Sequence, residues 1–168
     1  MSTAIFGLSL VVLLQPELLP LLAPPAPAPI AGPAAGALAP LERPRDAVRV
    51  WRELNQARIA RGLSPLRLDG RLSAIARDHA LDMVARNYFG HTNPDGLSPF
   101  DRLARAGYRY RWAAENLALD EDAPSAARAL WNSSEHRENI LERHFAKVGI
   151  AAVTAIDDAE IVVEDFSD

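Results

Sequence analysis

The chain has 168 residues, 18 basic and 22 acidic side chains, and no cysteine. The absence of cysteine excludes disulfide frameworks, zinc fingers and thiolate nucleophiles. A formal net charge of −4 without a run of like charges argues against sequence-independent nucleic-acid binding, which needs a basic patch.

Proline and charge divide the chain into two regions. Nine of the 13 prolines precede Asp46, and Glu17 is the only charged side chain between Met1 and Leu41. From Asp46 onward the composition is an ordinary globular mixture of 16 basic and 20 acidic residues. We therefore expect one monomeric folded domain at residues 46–168, preceded by a Pro/Ala-rich disordered linker at residues 23–45.

The first 22 residues form an apolar segment, with an uncharged run of ten residues from Ile5 to Leu14. Ten residues are too few to cross a bilayer, which needs about 20, but they fit the hydrophobic region of a signal peptide, about 7–15. This length predicts a signal peptide and export to the extracellular space, the periplasm or the cell envelope, without a transmembrane span. An apolar arm with no targeting role is the alternative.

In the first part of the domain apolar side chains recur at helical spacing, and in the last part they alternate with other residues as in a strand. The predicted helices run from Asp46 to Arg61, from the cap Asp69 through Val84, from Ser98 to a stop at Gly107, from Pro124 to Trp131, and from a cap at Ser133 or Ser134 through Leu141. Alternating residues predict a half-exposed strand at Tyr108–Trp112 and a terminal hairpin of Val148–Ile156 and Ile161–Phe166. This order indicates an α+β fold, with a small antiparallel sheet covered by helices.

Three ionisable groups lie in surroundings that the pattern predicts to be partly buried. His91 follows an aromatic pair after the second helix, Glu115 interrupts an apolar segment, and His136 lies in the first turn of a helix. Two imidazoles and a carboxylate can bind one divalent ion, or they can hold a general acid and a general base apart in a cleft. Structural roles remain the alternative: a hydrogen-bonded helix terminus for His91, and satisfied backbone donors for Glu115.

The other two histidines are interpreted as structural. His79 occupies the apolar stripe of the second helix and is predicted to be a core histidine, whereas His144 is expected to face solvent. No two histidines are spaced i, i+4 as in a zincin helix. Spacing alone therefore does not define a metal site.

Taken together, a series of short segments resembles the bacterial SCP-like branch of the CAP superfamily, which comprises cysteine-rich secretory proteins, antigen 5 and pathogenesis-related proteins. The resemblance covers Val48 to Phe166. The segments occur in the family's order: Asn55–Arg58, Gly62–Leu66, Leu72 through Met83, Phe89–His91, Asp95–Gly96, Ala106–Tyr108, Glu115–Ala118, Asn132–Leu141 and Val148–Gly149.

The resemblance implies a secreted α-β-α sandwich with a central antiparallel sheet and a cleft lined by two histidines and up to two acidic residues. His91, Glu115 and His136 match three of these positions, and Glu135 is a candidate for the fourth by proximity only. Gly90 and Ala114 depart from the usual Ser and Gly before the first His and the Glu. These departures and the unmatched acid put a complete four-residue site in doubt.

Three functions remain open at this stage. The first is an exported binding module for an envelope or extracellular ligand (protein, lipid or glycan), whose His91 and His136 hold a divalent cation, with Zn²⁺ the first candidate. The second is a hydrolase of peptide or cell-envelope substrates with Glu115 as the candidate catalytic base. This reading is weaker, because the chain has no Cys nucleophile and no Ser in a G-x-S-x-G setting. The third is a lipid- or surface-binding module with Tyr108, Tyr110 and Trp112 as its contact face.

Overall fold

The structure, a computed structural model, describes residues 6–10, 41–155 and 158–168. The described elements are, in chain order, β1 (Phe6–Leu10), α1 (Pro44–Ile59), β2 (Arg67–Leu68), α2 (Gly70–Ala85), α3 (Pro99–Arg105), β3 (Ala113–Asp120), α4 (Ala123–Asn132), α5 (Ser134–Leu141), β4 (Lys147–Thr154) and β5 (Glu160–Ser167). No helix among the described residues is long and apolar enough to cross a membrane.

The helices begin where their caps predict. Asp69 accepts hydrogen bonds from the backbone of Arg71 and Leu72 at the start of α2, and Ser98 forms a capping box with Asp101 at the start of α3. Their apolar stripes are buried as the periodicity predicts, so all five predicted helices are confirmed to within a few residues at their ends.

The five described strands form one sheet in the order β1-β3-β5-β4-β2. β3, β5 and β4 are antiparallel neighbours, and Glu115 lies opposite Asp165 in the register of β3 and β5. β1 pairs antiparallel with the outer edge of β3, and β2 pairs parallel with β4.

Helices cover both faces of this sheet. One face packs on α1, α4 and α5 through a cluster that includes Val50, Leu130 and Phe166. The opposite face packs on α2 through a cluster that includes Met83 and Leu117. The predicted α-β-α sandwich is therefore confirmed.

The strand predicted at Tyr108–Trp112 is wrong. These residues form a bend that leads into β3, because the side chain of Asp168 accepts hydrogen bonds from the backbone of Arg111 and Trp112 and folds the segment around the C-terminus. The strand itself begins one residue later, at Ala113. The hairpin prediction holds for β4 and β5, although Ile156 and Asp157 lie outside the described residues.

The predicted domain start at Asp46 is too late. The backbone amide of Thr154 donates to the carbonyl of Leu41, the amide of Arg43 donates to the carbonyl of Ala152, and Pro44 is the first residue of α1. Residues 41–45, which the sequence analysis placed in the linker, are therefore part of the fold. The remainder of the predicted linker lies outside the described residues.

Candidate functional site

Glu115 and Asn116 lie at the centre of the site, on opposite faces of β3. Successive side chains of a strand point to opposite faces, and both residues are completely buried. Glu115 contacts residues from the α2 and α3 side of the sheet, whereas Asn116 contacts residues of α5 on the other side.

Among the residues that the sequence analysis proposed for the site, His91 contacts Glu115 directly. Its Nδ1 atom lies 2.7 Å from Oε1 of Glu115, and the residue is only 9% exposed. With Nδ1 on the carboxylate, Nε2 is the remaining polar atom of the ring. It is buried and has no hydrogen-bond partner among the described residues.

Arg102 of α3 holds the other side of the same carboxylate. Its Nη2 donates to Oε2 of Glu115, and its Nη1 donates to the carbonyl oxygens of His91 (2.7 Å) and Leu97 (3.2 Å). One guanidinium thus fixes both the carboxylate and the loop that carries His91. The Glu115 carboxylate is therefore engaged on both oxygens.

His79, on α2, borders the group formed by His91, Arg102 and Glu115. It is 2% exposed, its Nε2 lies 3.1 Å from the carbonyl oxygen of Gly90, and the same atom is 4.0 Å from Oε2 of Glu115. Burial lowers the pKa of His79 to about 4, so its imidazole is neutral at pH 7. His79 is thus a buried histidine with a hydrogen-bonded nitrogen, and it also borders the candidate site.

A second carboxylate, Asp165 of β5, lies beside Glu115 across the two strands and is 3% exposed. Burial and then the charge of Glu115 raise the pKa of Asp165 well above its ordinary value. For Glu115, burial acts in the same upward direction, but the hydrogen bond with His91 and the charge of Arg102 outweigh it and lower the pKa. The surroundings therefore favour the ionised form of Glu115 and the neutral form of Asp165.

On the other face of β3, amide side chains attach α5 to the sheet. Asn116 donates from Nδ2 to the carbonyl of His136 (3.2 Å) and to Oε2 of Glu164 (3.0 Å), and its Oδ1 accepts from Asn139 (2.9 Å). His136 is 2% exposed in the first turns of α5. Asn116 and Asn139 thus attach α5, with His136 in it, to the strand that carries Glu115.

The structure separates the predicted site residues into two groups. It brings His91 and Glu115 into direct contact, whereas His136 is attached through its backbone to the opposite face of β3. Glu135, the candidate fourth residue, is exposed. Within the residues that the structure describes, no three or more His, Asp or Glu side chains are grouped as a metal site.

Sequence reasoning missed Arg102 and Asp165. Asp165 had a usable signal, because two consecutive carboxylates, Glu164 and Asp165, interrupt an otherwise apolar strand. Arg102 had none, because an arginine on a short exposed helix is ordinary, and its contact with Glu115 depends on how α3 packs.

The predicted aromatic contact face is not present as one surface. Tyr108 is 8% exposed and packs in the core with Leu72 and Leu103. Tyr110 packs on Phe100, and Trp112 stacks on His144 with ring centroids 4.2 Å apart. His144 is exposed, as predicted.

Comparison with known proteins agrees with this architecture. Residues 51–166 match the family described as "CAP: Cysteine-rich secretory protein family". The chain belongs to the CAP family. The match covers most of α1, helices α2 to α5, strands β2 to β4 and all but the last residue of β5, and it includes His79, His91, Arg102, Glu115 and Asp165.

The relatives found for this CAP-family chain are bacterial. An uncharacterized protein of Bacillus subtilis (strain 168), YkwD, is 39% identical over 69 residues, which is 40% of this chain and 27% of that protein. An extracellular protein of Bacillus anthracis (strain Ames) containing an SCP domain has a solved structure with 28% identity and a TM-score of 0.64, covering 74% of this chain and 40% of that chain.

An outer surface protein of Borrelia burgdorferi, 22% identical with a TM-score of 0.69, covers 74% of this chain and 92% of that chain. At this identity the likeness supports the fold alone. This chain spans less than half the length of YkwD and of the Bacillus anthracis protein.

Proposed function

We propose that this CAP-family protein is an exported binding module in which His91 and His136 hold a divalent cation, with Zn²⁺ as the first candidate. The observation that carries the proposal is the hydrogen bonding of the two ring nitrogens of His91. Its Nδ1 is fixed on Glu115, and its Nε2 is buried without a hydrogen-bond partner among the described residues. A histidine whose second nitrogen bonds a carboxylate is the usual form of a zinc-ligating imidazole.

The proposed site needs two histidine ligands. His91 contacts the Glu115 face of β3 and the backbone of His136 contacts the opposite face, so the proposal requires the ring of His136 to turn toward Nε2 of His91. Glu115 would orient His91 and increase its basicity, and it would not ligate the ion, since both of its oxygens are engaged by His91 and Arg102. His136 would supply the second imidazole. A bound cation would act in this setting as a Lewis acid or as an anchor for an anionic group of a ligand.

Export is supported by two observations. The apolar run from Ile5 to Leu14 has the length of a signal-peptide core. The Bacillus anthracis relative is described as an extracellular protein. A reporter fused to residues 1–40 should therefore cross the membrane, and retention in the cytoplasm would contradict export.

The geometry of Glu115 favours binding over hydrolysis. A general base must be free to accept a proton from its substrate or water, whereas this carboxylate is completely buried and bonded to both His91 and Arg102. The aromatic residues expected to form a lipid contact face are divided between the core and separate surface contacts. We therefore place neither a hydrolase nor a lipid-binding face at this site.

The test is Zn²⁺ titration calorimetry at pH 7.5 and pH 5.5. The wild type should bind Zn²⁺ at pH 7.5, and affinity should fall at pH 5.5, because protons compete for the imidazole lone pairs near the ordinary histidine pKa of about 6.5. His91→Ala and His136→Ala should each abolish binding. Glu115→Gln should weaken it by roughly 10- to 100-fold, as loss of an outer carboxylate does.

His144→Ala is the matched control, because His144 is exposed on the stack with Trp112. Its affinity should equal that of the wild type. Equal affinity in the wild type and His136→Ala, or no binding heat in the wild type, would remove the two-histidine site.

A further inference from the structure

The outer edge of β3 is paired with a segment from the far end of the chain. Phe6–Leu10 runs antiparallel to β3, with Phe6 opposite Leu119, Leu8 opposite Leu117 and Leu10 opposite Glu115. Thirty residues, 11–40, lie between this strand and Leu41 in the sequence. The edge of the sheet is thus paired by a segment that is distant from β3 along the chain.

This segment lies against the candidate site. Leu10 is paired with Glu115 and Ser9 with Asn116, the two residues that hold His91 and α5. Helix α5, which carries His136, contacts both β1 and β3. The strand therefore lies along β3 in contact with α5, and its last residue, Leu10, is opposite Glu115.

A free β3 edge would present unpaired backbone donors and acceptors beside the site. Such an edge is a template for another strand, and natural proteins protect it with charges, proline or bulges. From Ala113 to Leu119 the only charged residue is Glu115, which points inward to His91, and the stretch contains no proline. The edge has none of these protections other than β1 itself.

We propose that the β3 edge is a docking site for an extended peptide, which Phe6–Leu10 occupies within the chain. The incoming peptide is an uncharged, aliphatic segment of another exported protein. It adds to the sheet antiparallel to β3, in the register of β1, with its C-terminal end at Glu115. Main-chain hydrogen bonds hold it, as in other cases of strand addition.

The proposal gives Phe6–Leu10 a second role. If the signal peptide is removed on export, as proposed above, Phe6–Leu10 leaves with it and the edge opens in the mature protein. In the precursor, the tethered strand competes with any peptide at an effective concentration on the order of millimolar. Peptide binding is thereby restricted to the exported form.

The first experiment tests the register in the full-length chain by disulfide trapping. The protein has no cysteine, so an introduced pair can react only with itself. Phe6→Cys with Leu119→Cys joins two residues that are partners in the register and should oxidise readily to an intramolecular disulfide. Gly7→Cys with Leu119→Cys is the control, displaced by one position and therefore directed to opposite faces.

The second experiment tests binding by fluorescence anisotropy. The probe is a labelled peptide with the sequence of Phe6–Leu10 flanked by two lysines at each end, and the control peptide has proline at the central position. The protein is the full-length chain carrying Leu8→Pro, which removes a donor from its own strand. Ser9→Pro is a second variant in case the first does not fold.

The probe should bind the proline variants, bind the wild type at least tenfold more weakly, and be unaffected by EDTA. The proline-containing peptide should not bind. Disulfide formation at equal rates in both cysteine pairs, no binding to either proline variant, or equal binding to the wild type would each overturn the proposal. Because the probe needs no metal, failure of Zn²⁺ binding and failure of this proposal are distinguishable.

Discussion

At the scale of single residues, the site is organised around one buried ionised carboxylate. Burying a charge is costly unless it is paired, and Glu115 is paired on both oxygens, by His91 and Arg102. Burial and the charge of Glu115 raise the pKa of the neighbouring Asp165 and so favour the neutral form of its carboxyl. The surroundings thus drive the two carboxyls in opposite directions, Glu115 toward the ionised form and Asp165 toward the neutral form.

His79 is expected to support the stability of this cluster. His79→Ala removes the hydrogen bond to the carbonyl of Gly90 and leaves a cavity, so it should lower the free energy of unfolding by about 2–3 kcal/mol at pH 7. Urea denaturation measures this change. His144→Ala, at an exposed position, should change it by no more than about 0.5 kcal/mol.

The pH dependence of the His79 variant provides a further check. Because burial lowers the folded-state pKa of His79 to about 4, the unfolded chain takes up a proton first, below about pH 6.5. The stability that neutral His79 contributes is present above this pH and is lost as the pH falls toward 4. The difference between wild type and His79→Ala should therefore shrink toward zero at pH 4. A constant difference would contradict the lowered pKa.

The titration of Glu164 is expected to have the opposite effect on the pH dependence of stability. Burial raises its pKa to about 7, against which the hydrogen bond from Asn116 acts. Between about pH 4.3 and about pH 7 the folded state therefore keeps a proton that the unfolded state has released, so stability falls as the pH rises through this range and levels off above it. Glu164→Gln keeps the shape and the acceptor, so at pH 8 it should be more stable than the wild type by on the order of 2–3 kcal/mol.

At pH 4.5 the two proteins should have nearly equal stability, which urea denaturation at both pH values tests. Glu53→Gln is the control, because Glu53 is exposed in an ion pair with Arg49 and its variant should follow the wild type at both pH values. If Glu164→Gln is destabilised equally at pH 4.5 and 8, the buried carboxyl does not titrate as described.

The residues that sequence analysis identified share a local signal. His91 and Glu115 interrupt apolar segments, and His79 lies on a helical stripe, so pattern alone indicated that they are buried. Arg102 and Asp165 act through contacts between elements that are distant in sequence, α3 with β3 and β5 with β3. Periodicity carries no information about such contacts, and Arg102 was therefore missed; for Asp165 the interruption of an apolar strand was a usable sign of a buried carboxyl, but it does not identify Glu115 as the neighbour.

At the scale of elements, those with a local sequence pattern were predicted, and those that depend on contacts with distant parts of the chain were not. Helices were predicted because their caps and stripes are local. β3 was missed because Glu115 and Asn116 break its apolar pattern, and they can be buried only because α2, α3 and α5 supply their partners. β2 was missed because a two-residue parallel strand has no period.

Helix α2 packs closely on β4 at Gly149. A Cβ added at Gly149 of β4 would lie 2.2 Å from the carbonyl carbon of Leu72 and 2.3 Å from the backbone nitrogen of Ser73. Backbone atoms of a capped helix cannot move aside without shifting the element. Gly149→Ala should therefore lower the free energy of unfolding by about 3 kcal/mol or more.

Thermal and urea denaturation measure this effect. Gly70→Ala is the matched control, because a Cβ at Gly70 meets no atom within 4 Å and alanine favours a helix over glycine. Gly70→Ala should leave the free energy of unfolding unchanged or raise it slightly. A Gly149→Ala protein as stable as the wild type would show that β4 and α2 do not approach this closely.

At the scale of the whole molecule, the fold begins earlier than the composition predicted. Residues 41–45 connect the end of β4 to the start of α1: Thr154 donates to the carbonyl of Leu41, and Arg43 donates through Nε to the hydroxyl of Thr154. Pro44 supplies the fixed backbone angle of the first helical residue. These contacts lie outside the domain limit that the change in proline and charge suggested.

The position of a truncation should therefore decide its effect. A chain of residues 41–168 should fold cooperatively, since it retains the three helix-covered strands β3, β5 and β4 and loses only the edge strand β1. A chain of residues 46–168 loses the Leu41 and Arg43 contacts as well and should unfold at a lower urea concentration, by about 1–2 kcal/mol. Equal stability of the two would show that residues 41–45 are not part of the fold, and a chain of residues 41–168 that does not fold would show that the sandwich needs β1.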